Sequence, residues 1–316
     1  MPKLLRGLAI AAGSVVGLVL VLFAIVWAVS AHKRHQRFPI NHALESTGPT
    51  QPVTSALLTR GKVQAIVHAC THCHGPDLAG TTLASGGMTG MFAAPNLTTG
   101  RGGIGGRLTD ADIARAVRQD VDRTGRPLMV MPGEHYYADL SDEDMGALIA
   151  FIRHVKPVDK VQPAVSFGPM GHLAVAIGQL PIAPENIAPT VRPGTVNQGV
   201  SLEHGKYLAT MCYACHGKDY GGLPAGYGLP PGANLTMGGD LKNWTEADFV
   251  HVLRTGVTPD GRKLNKMMPW QAFALLRDDE LRSLYMYLRS LPAKTRIPPT
   301  APGWHPPVPV DSTKHA

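Results

Sequence analysis

All four cysteines of this chain lie in two copies of one five-residue pattern. Residues 70–74 read CTHCH, and residues 212–216 read CYACH. In each copy the two thiols are three positions apart, within one turn of a helix, and a histidine follows the second thiol directly. No cysteine is left over to build a disulfide scaffold. This pattern constrains the fold more than any other feature of the sequence.

The C-x-x-C-H pattern is typical of covalent haem c attachment. Both thiols can form thioethers with the haem vinyl groups, and the adjacent histidine then points its imidazole at the iron as the proximal ligand. A thioredoxin-like redox pair needs a βαβ context, which the sequence lacks. A zinc site would need two cysteine pairs that are 142 positions apart to converge. We therefore predict two covalently bound haems c. The predicted haem-binding residues are Cys70, Cys73, His74, Cys212, Cys215 and His216.

The sequence around the two motifs also repeats. Short matching segments follow one another in the same order, at offsets that run from 144 down to about 136. An ordered repeat over more than 90 residues indicates a duplicated domain. The matching segments are 61–62 and 205–206, 95–98 and 233–236, 109–112 and 245–248, 131–132 and 268–269, and 140–152 and 276–288.

Each copy is predicted to form three helices, so the predicted fold class is all-α. The first helix, about 57–73 in one copy and 202–215 in the other, carries the haem motif at its end. The second helix begins at a T-x-x-D capping sequence, and the third repeats apolar residues on one face. The predicted starts of the second and third helices are Thr109, Thr245, Ser141 and Asp278.

A glycine stands early in each first helix, at Gly61 and at Gly205. Without a Cβ atom, this position permits the close approach of another helix. Phe151 and Tyr287 on the third helices are the candidates to pack there. Proline-rich stretches separate the two copies and end the chain, and both are expected to be extended.

A haem iron held by one histidine keeps an open face unless a sixth ligand closes it. Met131 and Met268 each precede a proline between the second and third helices, 57 and 52 residues after the proximal histidines. A thioether is a soft ligand that raises the reduction potential, and the following proline restricts the local backbone. We predict both methionines as axial ligands. The alternatives are Met129, Met267, His135 and His251.

Leu8 to Ala31 is a run of 24 residues without a charge. As a helix it would be about 36 Å long, more than the roughly 30 Å of bilayer hydrocarbon. Trp27 stands near one end, where interfacial aromatic residues occur. A cleaved signal peptide is the alternative, because small residues at 28–31 could precede a cleavage site, but its apolar region is normally about 7–15 residues. We predict a retained anchor, whose orientation the balanced flanking charges do not set.

The stretch that reads NLT at 234–236, WTEADF at 244–249 and MPW at 268–270 is similar to the cytochrome c subunits of membrane-bound alcohol and gluconate dehydrogenases. With its two motifs, the chain resembles a class I, di-haem cytochrome c. This resemblance implies two tandem mono-haem domains behind one N-terminal transmembrane helix. Those subunits typically carry three haem domains, whereas two motifs occur here. The predicted segments are an anchor (1–34), a first cytochrome c domain (50–158), a proline-rich linker (159–197), a second cytochrome c domain (198–294) and a proline-rich tail (295–316).

The resemblance implies a carrier of single electrons between redox partners. Because haem c is attached outside the cytoplasm, it also implies a single-pass protein of the inner (cytoplasmic) membrane with its haem domains on the periplasmic side. The donor would be a dehydrogenase or a quinol-oxidising complex, and the acceptor a cytochrome or an oxidase. One alternative is a tightly bound cytochrome subunit of a membrane dehydrogenase or of a respiratory or photosynthetic complex. Another is a di-haem enzyme of the peroxidase or thiosulfate dehydrogenase type.

Two further observations narrow these alternatives. An enzyme needs an open iron face, and two methionine ligands argue against one. The net charge of +7 falls to +5 from residue 31 onward, and no basic stripe with interleaved aromatics is present, so the sequence gives no support for nucleic-acid binding.

Asn96, Asn234 and Asn243 open N-x-[ST] sequons. The two that recur as Asn-Leu-Thr predict a turn near the haem rather than glycan sites.

Overall fold

The computed structural model describes residues 2–45, 48–129, 131, 140–180, 196, 199–223 and 231–295. The chain divides into two compact units, and each contains one C-x-x-C-H motif. The first unit comprises residues 1–61 and 70–192, and the second comprises residues 62–69 and 193–316. The domain boundaries expected from the sequence therefore remain predictions.

The first helix, α1, runs from Pro2 to His35 without interruption. At about 1.5 Å per residue it is about 51 Å long, and its apolar side chains are exposed over most of that length. Within the described residues it is the one helix that is long and apolar enough to cross a membrane. Its last turn is basic, because it contains His32, Lys33, Arg34 and His35.

Among the described residues, the first copy forms four helices around its haem motif, and residues 62–67 of the first of these helices belong to the second unit. These are α2 (Ser55–Val67), α3 (Cys70–His74), α4 (Asp110–Gln119) and α5 (Asp142–His154). The prediction of one continuous helix through Cys73 is wrong, because Ala69 adopts a left-handed φ of 57° and the ladder of hydrogen bonds ends there. The Ala69 N–H donates to the Ile66 carbonyl, one residue short of the α-helical partner.

The second unit repeats this arrangement. Its first helix, α7 (Leu202–Ala209), is again separated from the helix of the motif, α8 (Tyr213–His216), by a short 3₁₀ turn at Thr210–Cys212. The helix α7 packs along α11 (Asp278–Ser290), and the side chains between these two helices are almost wholly buried. Its helices are α7 (Leu202–Ala209), α8 (Tyr213–His216), α9 (Glu246–Thr255), α10 (Trp270–Phe273) and α11 (Asp278–Ser290). Its core includes Leu208, Phe249, Leu253, Phe273, Leu281, Leu284 and Leu288.

The predicted helix starts are confirmed. The hydroxyls of Thr109 and Thr245 accept hydrogen bonds from the backbone N–H three residues on. The carboxylates of Asp112 and Asp248 accept from the N–H of the cap residues, which makes two matching capping boxes. Ser141 caps α5. The predicted apolar faces are buried, including Ile113, Val117, Met145, Leu148, Ile149, Ile152, Val252 and Leu284.

The glycines predicted to bring helices together do so in both units. A Cβ atom at Gly61 would overlap the carbonyl oxygen of Ala147 and press on Phe151. At Gly205 the overlap would be with the carbonyl oxygen of Ser283 and with Tyr287. The first and third helices of each copy therefore touch backbone to backbone at this point.

The described residues are mostly helical, and the first unit also contains a small sheet. Strand β1 (Thr82–Gly86) pairs antiparallel with β2 (Gly90–Ala93), and β2 pairs antiparallel with β3 (Ser166–Phe167). The prediction that the linker is extended is wrong for the stretch that contains β3 and the helix after it. Residues 166–167 add the third strand, and a helix α6 (Pro169–Ala176) follows and packs on α1. Strands this short leave no readable period of two in the sequence.

Candidate haem-binding sites

The histidine of each motif is oriented by a backbone carbonyl. The Nδ1 atom of His74 lies 2.9 Å from the carbonyl oxygen of Pro95, and the Nδ1 atom of His216 lies 2.7 Å from that of Ala233. A carbonyl can only accept, so Nδ1 carries the proton in the neutral ring and Nε2 keeps its lone pair for a metal. The same contact therefore prepares both imidazoles as iron ligands.

Burial reinforces this preparation. It lowers the pKa of His74 and of His216 below the ordinary value, while the bond to the carbonyl acts in the opposite direction. A neutral imidazole is the form that binds iron, whereas a protonated ring cannot. The environment of both histidines thus favours the ligating form.

The four thiols lie in surroundings that disfavour the thiolate. Burial raises the pKa of Cys70 to about 12 and that of Cys212 to about 12, and it also raises the pKa of Cys73 and Cys215. A zinc site needs thiolates, whose pKa is lowered by positive surroundings. Among the described residues no group of three or more His, Cys, Asp or Glu side chains converges on a metal position. In each motif the two thiols lie within one turn of the oriented histidine, so these residues fit a covalent haem.

Buried asparagines hold the loops that supply the two carbonyls. The Asn96 side chain accepts from the Thr98 N–H at 2.9 Å and donates to the Val158 carbonyl at 2.7 Å. In the second unit Asn234 accepts from the Thr236 N–H at 2.9 Å and donates to the Lys294 carbonyl at 2.8 Å. Each asparagine thereby ties the loop beside its motif to the chain that follows the third helix.

The repeated Asn-Leu-Thr segments therefore form the predicted turns. Asn96 and Asn234 are almost fully buried, so their amides are not available for glycan attachment. Asn243, the third sequon, is exposed.

The predicted sixth ligands are half-buried in both units. The Met268 N–H donates to the Asn265 carbonyl at 2.9 Å, and its side chain packs on the core of the second unit. The Met131 N–H lies 3.4 Å from the Leu128 carbonyl. Pro132 and the alternative ligand His135 lie outside the described residues. Both methionines lie between the second and third helices, as predicted, and their axial role remains a prediction.

The loops that lead to these methionines match more closely than the sequence indicates. The Leu128 N–H donates to the Asp120 carbonyl at 2.7 Å, and the Leu264 N–H donates to the Gly256 carbonyl at 2.8 Å. Both acceptors adopt left-handed conformations at the end of the second helix. Met131 follows Leu128 by three residues, whereas Met268 follows Leu264 by four.

Counted from these leucines, the counterpart of Met131 is Met267 rather than Met268. Met267 is 38% exposed, however, and Met268 is half-buried and followed by proline. Burial therefore favours Met268 as the ligand. In the first unit both Met129 and Met131 are half-buried, and burial does not separate them. The alternative ligand His251 lies exposed on α9.

Two helical units, each with a C-x-x-C-H turn and a carbonyl-oriented histidine, define a c-type cytochrome. The cytochrome c family model matches residues 58–156 and 202–292. The chain therefore belongs to the cytochrome c family, whose members bind haem c covalently.

Relatives are cytochrome subunits of dehydrogenases. The chain is 28% identical over 282 residues to the cytochrome c subunit of an alcohol dehydrogenase (quinone) from Gluconacetobacter polyoxogenes, covering 79% of this chain and 58% of the relative. It is 27% identical over 279 residues to the cytochrome subunit of a fructose dehydrogenase from Gluconobacter japonicus, covering 78% and 56%. It is 30% identical over 275 residues to the cytochrome c subunit of a gluconate 2-dehydrogenase from Pantoea cypripedii, covering 76% and 60%. The chain spans little more than half the length of these relatives.

Proposed function

We propose that the protein is a membrane-anchored di-haem cytochrome c that transfers single electrons between redox partners on the periplasmic side of the inner membrane. The observation that carries this proposal is the matching contact behind each motif, His74 to Pro95 and His216 to Ala233. Two sites prepared in the same way call for two haems. The predicted domains, 50–158 and 198–294, are the proposed mono-haem modules.

The residues of each site have separate roles in binding haem. Cys70 and Cys73, and equally Cys212 and Cys215, hold the macrocycle by thioether bonds. The carbonyl-bound imidazole of His74 or His216 would bind the iron and is held in one orientation by that carbonyl. Haem iron supplies the exchange of one electron between its ferric and ferrous states. Met131 and Met268 would each supply the second protein ligand of an iron and keep small molecules from it, which favours a carrier over an enzyme.

The N-terminal helix supports membrane anchoring. Its charge-free run exceeds the thickness of bilayer hydrocarbon, and its side chains are exposed along that run. Ser30 is wholly buried against the first unit, and α1 continues without a break to His35. Cleavage of a signal peptide at 28–31 would cut through this helix and remove its contacts. The resemblance to cytochrome c, whose haem is attached outside the cytoplasm, supports the orientation.

A second candidate is a tightly bound cytochrome subunit of a membrane dehydrogenase, and the names of the relatives favour it. Purification in mild detergent, followed by identification of bound subunits, separates the candidates. A dehydrogenase subunit that stays bound in a fixed ratio supports the second candidate. A chain that is isolated alone, and that accepts electrons from added donors, supports a free-standing carrier.

The haem number tests the proposal directly. We expect two haems per chain by the pyridine haemochrome assay, and haem staining that survives denaturing gels. The double variant Cys70→Ala with Cys73→Ala removes one attachment site and is expected to halve the covalent haem. The matched variant Cys212→Ala with Cys215→Ala should do the same. Haem that acid-acetone extracts from the wild-type protein would contradict covalent attachment.

A further inference from the structure

Two uncharged stretches of the first unit meet in its small sheet. Residues 78–100 and 161–180 contain no Asp, Glu, Lys or Arg. The strand pairing of β2 with β3 joins them, the Gly168 N–H donates to the Thr89 carbonyl at 3.1 Å, and the Met170 N–H donates to the Met88 carbonyl at 2.8 Å. The β1–β2 turn and the start of α6 are thus held side by side.

This assembly is attached to the end of α1. The ring of Trp27 stacks on that of His172, with 4.2 Å between the ring centroids. The Nδ1 atom of His172 lies 3.0 Å from the Ser30 hydroxyl, and both side chains are buried. One turn further, the Arg34 guanidinium lies 4.5 Å from the centre of the Phe167 ring. Residues of three successive turns of α1 therefore contact α6 and β3.

The outer side of the assembly is apolar and exposed. Gly171, His172 and Val175 make up the buried side of α6. Met170 and Ile177, seven positions apart and so on one side of the helix, are 49% and 62% exposed. A short helix that is apolar on all sides is unusual on a water-facing surface. We call the exposed apolar side chains of this assembly the ledge. The ledge consists of Leu83, Met88, Met170 and Ile177.

The contacts with α1 set the depth of the ledge. The charge-free run of α1, about 36 Å long, exceeds the roughly 30 Å of hydrocarbon by only about two residues at each end. Trp27 and Ser30 belong to the last turn of that run and thus lie at the boundary between hydrocarbon and headgroups. Because α6 contacts these two residues sideways, α6 lies at the same depth. The basic residues Lys33 and Arg34 then lie among the phosphates.

We propose that the ledge is a second membrane contact, immersed in the interfacial layer of the bilayer that α1 crosses; this rests on the proposed anchoring by α1. The partner is phospholipid, because the ledge continues the apolar surface of a membrane-spanning helix at the boundary depth. The first unit is thereby held at a fixed height and tilt relative to the bilayer. The segment after α1 also binds to this unit, since the Phe38 N–H donates to the Gly125 carbonyl at 2.8 Å.

Site-directed spin labelling of the full-length holoprotein in phospholipid vesicles tests the proposal. The four native cysteines are expected to be consumed by haem, so an introduced cysteine is the one reactive thiol. Labels are placed at Met170→Cys, Ile177→Cys and, as a matched control, Leu275→Cys, an exposed leucine of the second unit. With the haems reduced, we expect the ratio of collision with oxygen to collision with a water-soluble nickel chelate to be several-fold higher at 170 and 177 than at 275.

The possible results distinguish membrane contact by the ledge from anchoring by α1. Pelleting after carbonate extraction, together with water-like ratios at 170 and 177, would overturn the ledge and leave anchoring by α1 intact. Shielding of both labels from oxygen and nickel alike would mean that a protein covers the ledge, which also overturns it. Loss of the protein from the carbonate pellet would remove the anchor and the ledge together. Haem content, measured on the same samples, reports on haem attachment independently of all three.

Discussion

Glu45 connects the segment that follows α1 to the second helix of the first unit. Arg115 on α4 donates from Nε to the Glu45 carboxylate at 2.8 Å and from Nη1 to Asp112 at 2.8 Å. Burial acts to raise the pKa of Glu45, but the hydrogen bonds and charges of Arg115 and His42 together outweigh it and leave that pKa below its ordinary value. A single residue thus couples the attachment of α1 to the capped start of α4.

This coupling predicts a loss of protection in acid. Because the pKa of Glu45 is lowered on folding, its contribution is complete above the unfolded value of about 4.3 and disappears as the pH falls through the folded value. We expect hydrogen-exchange protection at residues 41–45 to hold at neutral pH and to fall below about pH 4. In Glu45→Gln it should already be about fivefold lower at neutral pH, for roughly 1 kcal/mol. The control Glu203→Gln, at an exposed site, should behave as wild type. Equal protection in Glu45→Gln and wild type would contradict this account.

For single residues, the sequence predicted the members of each local motif but not the distant backbone carbonyls that contact the histidines. The six proposed haem-binding residues are predicted from five consecutive positions in each copy. The acceptor carbonyls of Pro95 and Ala233 lie 21 and 17 residues away from the histidines. A backbone carbonyl leaves no signature in the sequence, so only the recurrence of the Asn-Leu-Thr turn hinted that this segment lies near the haem.

Among the elements, the contact between the first and third helices of each unit depends on glycine. A Cβ atom at Gly61 or Gly205 would overlap a backbone carbonyl of the facing helix, which cannot rotate away as a side chain can. Gly106 offers a contrast, because the nearest atom to its Cβ would be a methyl group of Thr99 at 4.0 Å.

We therefore expect Gly61→Ala and Gly205→Ala to lower the free energy of unfolding by about 1–3 kcal/mol or more, each in its own unit. Denaturant unfolding followed by the haem absorption of each unit measures this. Gly106→Ala should change stability by a few tenths of a kcal/mol. A Gly61→Ala protein as stable as Gly106→Ala would show that the helices are not in backbone contact.

The helices were more predictable than the strands for a physical reason. A capping box and an apolar face of three or four turns are local signals, and Thr109, Thr245 and Ser141 cap helices where the sequence indicates. Strand β3 is two residues long, and β1 is exposed throughout, so neither shows alternation. The helix α6 follows a proline-rich stretch, and its burial depends on α1, which is far away in sequence.

Over the whole molecule, the duplication was predictable because the matching segments keep their order and nearly keep their spacing. The attachment of residues 161–180 to α1 was not, because the bond between Ser30 and His172 joins positions 142 residues apart. Met268 is predicted as a ligand from the proline that follows it, and its burial supports that prediction, although counting from Leu264 favours Met267. Long-range contacts of this kind depend on tertiary packing and leave no local pattern.

We propose that a methionine closes the iron of both haems, so that they carry electrons rather than bind substrates. The binding of carbon monoxide to the fully reduced protein, followed by rapid-mixing spectroscopy, tests it most directly. We expect slow or no binding to the wild type, and rapid binding at one haem in Met131→Ala and in Met268→Ala. The neighbouring controls Met129→Ala and Met267→Ala should bind as slowly as the wild type. Rapid binding of carbon monoxide to a haem of the wild-type protein would show a naturally open iron face and contradict the claim.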